Sequence, residues 1–122
     1  MNEIEKTILK ISNAFDEVMI DVSSEDEVQI QIEELLTGLN ISFKREKKLS
    51  NKDRIDFFLT ELNIGVEIKI KGSATSILRQ CERYCKRGEI KALLLISSKF
   101  MGFPKELNKR PCYFIGLSKG LL

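Results

Sequence analysis

The chain contains no histidine. Without an imidazole there is no Ser-His or Cys-His pair for nucleophilic catalysis, and no histidine-based metal site. Cysteine is nearly as scarce. Cys81, Cys85 and Cys112 are an odd number with no disulfide-framework spacing, which points to a reducing, cytoplasmic setting. Cys81 and Cys85 share the apolar stripe of a helix and read as buried hydrophobes. Three thiols would need a carboxylate as fourth ligand to hold zinc, so the core reading is preferred. No apolar run approaches a membrane span, and the first residues lack the basic-then-apolar layout of a signal peptide; no membrane partner is expected. Repeats, low-complexity tracts and long linkers are absent as well.

What is present suits one domain. The chain has 122 residues, 43% of them hydrophobic, enough for one core and too few for two. Its net charge of +2 conceals an asymmetry. Residues 1–40 carry ten acids against two lysines, whereas residues 41–122 carry eighteen Lys or Arg against eight acids. A half this basic suggests a polyanionic partner, because each neutralised phosphate releases counterions. Lys44, Arg45, Lys47, Lys48, Lys52 and Arg54 cluster within it, although charge clusters are also ordinary solvated surface.

Two neighbouring runs carry the chemistry: Arg54-Ile-Asp-Phe-Phe-Leu59 and Ile64-Gly-Val-Glu-Ile-Lys-Ile-Lys71. Both are short, apolar and rich in β-branched or aromatic residues, so both are strand candidates. Strand alternation places Ile55, Phe57 and Leu59 on one face and Asp56 on the other. In the second run Val66, Ile68 and Ile70 share a face, which leaves Glu67, Lys69 and Lys71 opposite. Two carboxylates and an ammonium then converge on one side of a hairpin, where oxygen ligands suit a hard cation. The bland alternative is an amphipathic hairpin with a solvated charged face.

This spacing, Asp56 followed by Glu67-Ile68-Lys69, resembles the PD-(D/E)XK, or restriction-endonuclease-like, nuclease superfamily. The segment Arg54-Ile-Asp-Phe57 matches the first half of its motif, with Ile55 where a proline often stands. The resemblance implies Mg²⁺ or Mn²⁺ held by Asp56, Glu67, the Ile68 carbonyl and an acid from the first core helix. That acid is matched to Glu25. Ser23-Ser24 cap a helix from Glu25 onward, with Gly38 near its end. At about 100° per residue Val28, Ile32, Leu35, Leu36 and Leu39 form one stripe, and Glu25 falls on it. Glu27, Glu33 and Glu34 point away, with Glu27 as the fallback. Glu25 could equally sit there for the helix dipole.

Downstream, Lys71-Gly-Ser73 turns the chain and Ala74 to Arg87 reads as a helix ended by Gly88. Ala74, Ile77, Leu78, Cys81, Tyr84 and Cys85 form its buried stripe. Gln80 and Tyr84 resemble the Q-x-x-x-Y element of several branches of the superfamily, which implies that Gln80 orients Lys69 or the nucleic acid. Arg79, Arg83, Lys86 and Arg87 form a basic face. Some relatives carry a four-cysteine iron–sulfur cluster, for which this chain lacks the cysteines.

Met1 to Ile20 is an amphipathic helix candidate, with Ile4, Ile8, Ile11, Phe15 and Val18 at helical spacing; it is read as a packing helix or a dimer contact. Strands are expected at Ile41 to Leu49, at the two runs above, at Ala92 to Ile96 and at Tyr113 to Leu117 after an Asn108-Lys-Arg-Pro111 turn. Ser50 to Asp53 reads as a flexible loop beside the site. The expected architecture is α/β: a single domain over residues 1–122, with an N-terminal helix in 1–22 and a nuclease-like core in 24–117. Its mixed sheet combines an antiparallel hairpin with a parallel crossover strand, flanked by helices.

The expected function is divalent-metal-dependent hydrolysis of DNA phosphodiesters, of structure-selective or phage and mobile-element type. Asp56, Glu67, Lys69, Gln80 and Glu25 carry the catalysis; Lys47, Lys48, Lys52, Arg54, Lys71, Ser73, Arg79, Arg83 and Arg87 contact DNA. Alternatives are a dimeric Holliday-junction resolvase, an inactive nucleic-acid-binding module of the same fold, and an interaction protein with an incidental charged hairpin.

Overall fold

The computed structural model describes residues 1–99 and 101–117. Three helices, α1 (Glu3–Asp16), α2 (Glu25–Gly38) and α3 (Ala74–Cys85), flank a sheet. Its strands are β1 (Phe43–Lys48), β2 (Arg54–Leu59), β3 (Ile64–Lys69), β4 (Ala92–Ser97), β5 (Glu106–Leu107) and β6 (Arg110–Gly116), in the order β1-β2-β3-β4-β6-β5. β1, β2 and β3 are antiparallel neighbours; β3, β4 and β6 run parallel. The chain is thus a small α/β domain with a mixed sheet. None of its described helices is long and apolar enough to cross a membrane.

Local chemistry sets most element ends. Asn2 caps α1 in a capping box with Glu5, Ser24 caps α2 and Ser73 caps α3 through their side-chain oxygens. α1 stops at Asp16, short of the expected Ile20, and Val18 is half exposed. Gly38 lies inside α2; the left-handed residue after that helix is Asn40, at φ 58°. α3 likewise ends before Gly88. The short strand β5 was not expected from the sequence. It pairs with β6 through a turn in which Asn108 and Lys109 have φ of 48° and 64°, the left-handed pair that a tight hairpin requires.

Helices cover both faces, and β4 divides the core between them. Ala92, Leu94 and Ile96 join Ile8 and Ile11 of α1 and Val28, Ile32 and Leu36 of α2. Leu93 and Leu95 join Ile77, Cys81, Tyr84 and Cys85 of α3. The continuous apolar run of β4 is therefore buried on both sides, as a central parallel strand requires. α1 is a packing helix, with Ile8 and Ile11 in the core.

One expectation about faces fails. Phe57 and Leu59 do share the α1/α2 side, but Ile55 packs with Phe58 on the α3 side. β1 rolls over at the same level. Arg45 lies over the Phe57 ring, whereas Lys47, two residues on, lies over the Phe58 ring. Between them Glu46 has φ 49°, and the Glu46–Asp56 step is missing from an otherwise regular register. Both strands thus lose one alternation at the level of Asp56, and the switch frees that residue from the ladder.

Ile55 comes to rest over Gly65. A Cβ on Gly65 would collide with Ile55 Cδ1 and stand 3.1 Å from Ile90 Cδ1. Gly65→Ala is therefore expected to cost about 1–3 kcal/mol in urea unfolding. Adding Ile55→Val, which removes the colliding methyl group, should recover part of that loss. Equal destabilisation with and without Ile55→Val would rule this contact out as the cause.

Candidate active site

The β2–β3 ladder ends at the Phe57–Val66 pair. Beyond it, side chains replace the missing strand bonds. Asp56 Oδ2 accepts from the Ile68 amide at 2.8 Å, and Glu67 Oε1 accepts from the Asp56 amide at 3.3 Å. Just past the end of β3, Glu25 Oε2 accepts from the Ile70 amide at 3.1 Å. Lys69 Nζ lies 3.0 Å from Glu67 Oε2. Asp56, Glu67, Lys69 and Glu25 are thus gathered around the open end of the hairpin. Of the acidic residues starting α2, it is Glu25 whose carboxylate reaches the sheet.

Burial makes this cluster electrostatically tense. Glu67 is only 2% exposed. Desolvation, and then the Asp56 charge, push its carboxyl up to about 8, because the Lys69 ammonium compensates only in part. Burial also raises Asp56, against the Ile68 amide and the Lys69 charge, which favour ionisation. Burial alone would lower Lys69, but the Glu67 carboxylate, with Glu25 and Asp56 behind it, holds it above the usual lysine range. The resting site therefore has a firmly protonated ammonium beside two acids that resist ionising together.

The Q-x-x-x-Y pair is present but engaged elsewhere. Gln80 Nε2 donates to the Tyr84 hydroxyl at 2.7 Å, and that hydroxyl donates to the Arg54 carbonyl at 3.2 Å. Gln80 therefore supports the start of β2 through buried Tyr84, and its amide does not bond Lys69. Burial and the nearby Glu67 and Asp56 charges raise Tyr84 far above the usual phenol range, so it remains a donor.

The basic residues divide into two groups. Arg83 and Arg87 converge on Asp53, which is 3% exposed, with Nη2 contacts of 3.1 and 3.8 Å. The Asp53 amide also donates to Ser50 Oγ and its carbonyl accepts from the Leu49 and Ser50 amides, so this segment is closed on itself and pinned by Arg83 of α3. Lys47 pairs with Glu89, and Arg54 with Glu46. Ser73 is exposed but serves as the α3 cap. Among the described residues, Lys48, Lys52, Lys71 and Arg79 are exposed and make no ion pair.

Two side chains at the site escape sequence reasoning. Gln29 Nε2 donates to Asp56 Oδ1 at 3.2 Å, and Arg45 Nη2 donates to Gln29 Oε1 at 2.6 Å. The available signal was spacing, since Gln29 lies one turn after Glu25 on α2.

A divalent ion suits the donor chemistry. Two hard carboxylates, both raised by burial, with Glu67 raised further by the Asp56 charge and Asp56 by the Glu25 charge, gain most from a cation between them. Against this, every oxygen of Asp56 and Glu67 already meets a protein donor. No grouping of three or more acidic, cysteine or histidine side chains shaped to hold a metal occurs among the described residues. Comparison with family models, curated proteins and solved structures gives no match to this chain.

Proposed function

We propose that this chain is a divalent-metal-dependent nuclease acting on DNA, with a site of the PD-(D/E)XK type in a restriction-endonuclease-like sheet. The observation that carries this reading is the open end of the β2–β3 hairpin. There Asp56 bonds the amide between Glu67 and Lys69, and Lys69 stands 3.0 Å from a buried Glu67. Asp56 and Glu67, with the Ile68 carbonyl and Glu25, would hold Mg²⁺ or Mn²⁺. Bound there, the ion supplies Lewis-acid polarisation of a phosphoryl oxygen and makes water a better nucleophile at neutral pH.

The chain's own residues then have separable roles. Asp56 and Glu67 provide the negative field that retains the ion. Lys69, held protonated by its acidic neighbours, suits orienting water and offsetting charge that develops on the phosphate; it is poorly suited to removing a proton. Gln80 and Tyr84 fix the start of β2 and so the height of Asp56. Lys48, Lys52, Lys71 and Arg79 are exposed cations that would be available to backbone phosphates.

A second reading, an inactive nucleic-acid-binding module, is favoured by one observation: the full set of protein donors on Asp56 and Glu67. Incubating the protein with plasmid, linear, single-stranded and four-way-junction DNA, with Mg²⁺, Mn²⁺ or EDTA, separates the two. Cleavage that needs the metal and stops in EDTA is expected. Cleavage that persists in excess EDTA would sink the metal mechanism, and retention of DNA without cleavage in either metal would favour the binding module.

A further inference from the structure

The side chain that reaches Asp56 from outside the hairpin is Gln29. Resting on the nuclease reading, we propose that Gln29, oriented by Arg45, is a positioning residue that holds the Asp56 carboxylate in its ligating orientation.

Asp56 is anchored from two elements. Its Oδ2 accepts from the Ile68 amide on β3 at 2.8 Å, and its Oδ1 accepts from Gln29 Nε2 on α2 at 3.2 Å. A single bond to Ile68 would leave the carboxylate free to swing about Oδ2. The second bond, from another layer of the fold, fixes the rotation. This matters because the β2–β3 ladder has already ended at Phe57, so no backbone pairing with β3 steadies Asp56.

Arg45 decides which way the Gln29 amide faces. A glutamine amide presents an acceptor on one side and a donor on the other, and a guanidinium can only donate. With Arg45 Nη2 at 2.6 Å from Gln29 Oε1, the amide must turn its NH₂ toward Asp56. Reversed, it would set a carbonyl oxygen against a carboxylate. Arg45 is itself constrained: its Nη1 donates to Glu33 Oε1 at 2.6 Å, and its guanidinium lies over the Phe57 ring at 5.0 Å. Phe57 adjoins Asp56 in sequence, so one chain of contacts runs from Glu33 through Arg45 and Gln29 back to the strand it steadies. It also delivers part of a positive charge toward Asp56 through the amide dipole without placing a competing cation at the site.

The decisive experiment measures Mn²⁺ affinity by titration, and kcat and KM for DNA cleavage, in wild type, Gln29→Ala, Gln29→Met, Arg45→Met and Gln29→Met/Arg45→Met. Methionine keeps the length and helix propensity of glutamine while removing donor and acceptor. Partners that orient a metal ligand commonly account for about 10–100-fold in affinity or activity. Gln29→Met and Gln29→Ala should therefore weaken Mn²⁺ and lower kcat by about that factor, with KM for DNA within about twofold. Arg45→Met should do the same to a smaller degree and add nothing once Gln29 is methionine. A merely structural role would instead lower the melting temperature and leave Mn²⁺ affinity and kcat intact in the folded fraction. An active wild type whose Mn²⁺ affinity and kcat survive both Gln29 variants would overturn this inference alone. A wild type that neither binds Mn²⁺ nor cleaves DNA would overturn the nuclease reading, and this inference with it.

Discussion

Replacing Asp56 or Glu67 by alanine is expected to lower metal-dependent DNA cleavage by at least about a hundred- to a thousandfold, the scale on which removing one fixed electrostatic partner acts. The proteins should stay folded. Glu67 is a nearly fully buried acid whose charge is opposed by burial and by Asp56, so its loss relieves tension while emptying the site. Lys69→Ala should separate binding from turnover. An ammonium is no metal ligand, so Mn²⁺ affinity should persist while kcat falls on a similar scale. The comparison needs single-turnover rates and Mn²⁺ titrations on all three variants, with circular dichroism to check folding. Undiminished cleavage by both acid variants would remove the hairpin from the mechanism. Loss of Mn²⁺ binding in Lys69→Ala with both carboxylates intact would show that the lysine acts mainly by organising Glu67.

Stability should fall as pH rises from about 5 to about 8.5, and Glu67 should be the main cause. In the unfolded chain this carboxyl releases its proton near 4.5, whereas in the folded protein it keeps it to about 8. Between those values the folded state holds the extra proton. Glu67's contribution is therefore fully present below the lower value and is lost as pH climbs through the upper one, at no more than about 1.4 kcal/mol per pH unit from this one group. Asp56 is shifted in the same direction and adds to the slope. Lys69 titrates above this window and leaves it unchanged. Urea unfolding across the range should show Glu67→Gln with a flatter profile and greater stability than wild type at pH 8. Millimolar Mg²⁺ should restore wild-type stability at pH 8 with little effect at pH 5, because the ion stabilises the ionised pair. A wild-type profile that rises with pH, or one identical in Glu67→Gln, would contradict the buried-acid account.

The proposed function and the instability meet in the same few atoms. A fold selected for stability alone would place an apolar residue at position 67, between Val66 and Ile68, which are fully buried. An acid there, next to Asp56 and 3.0 Å from the Lys69 ammonium, is what the proposed cation site would require. The arginines show the opposite pattern. Arg83 of α3 and Arg87, just past the end of that helix, belong to the basic cluster but neutralise buried Asp53. Their charge serves the loop leading into β2 and is only partly available to an external anion. Removing them would leave Asp53 buried without its partners, so effects on DNA binding at those positions would be mixed with loss of fold.

The amino-acid sequence alone determined the layers and which charged side chains meet at the end of the hairpin. The strands at Arg54–Leu59 and Ile64–Lys69, the apolar run at Ala92–Ser97 and the helical stripes of α2 and α3 were all legible, because burial selects apolar residues locally. Helical phase likewise singled out Glu25, and the spacing of Asp56, Glu67 and Lys69 singled out their convergence. Tertiary structure alone decided the rest. The loss of alternation at Glu46 and Asp56, which moves Ile55 to the α3 side, depends on two strands rolling over together above Gly65. The contacts of Gln29 with Asp56, Arg45 with Gln29, and Arg83 with Asp53 join residues 27, 16 and 30 positions apart. A polar side chain's role is set by whichever donor or acceptor the fold brings within about 3 Å. Periodicity records which face a residue occupies, and carries no record of that partner.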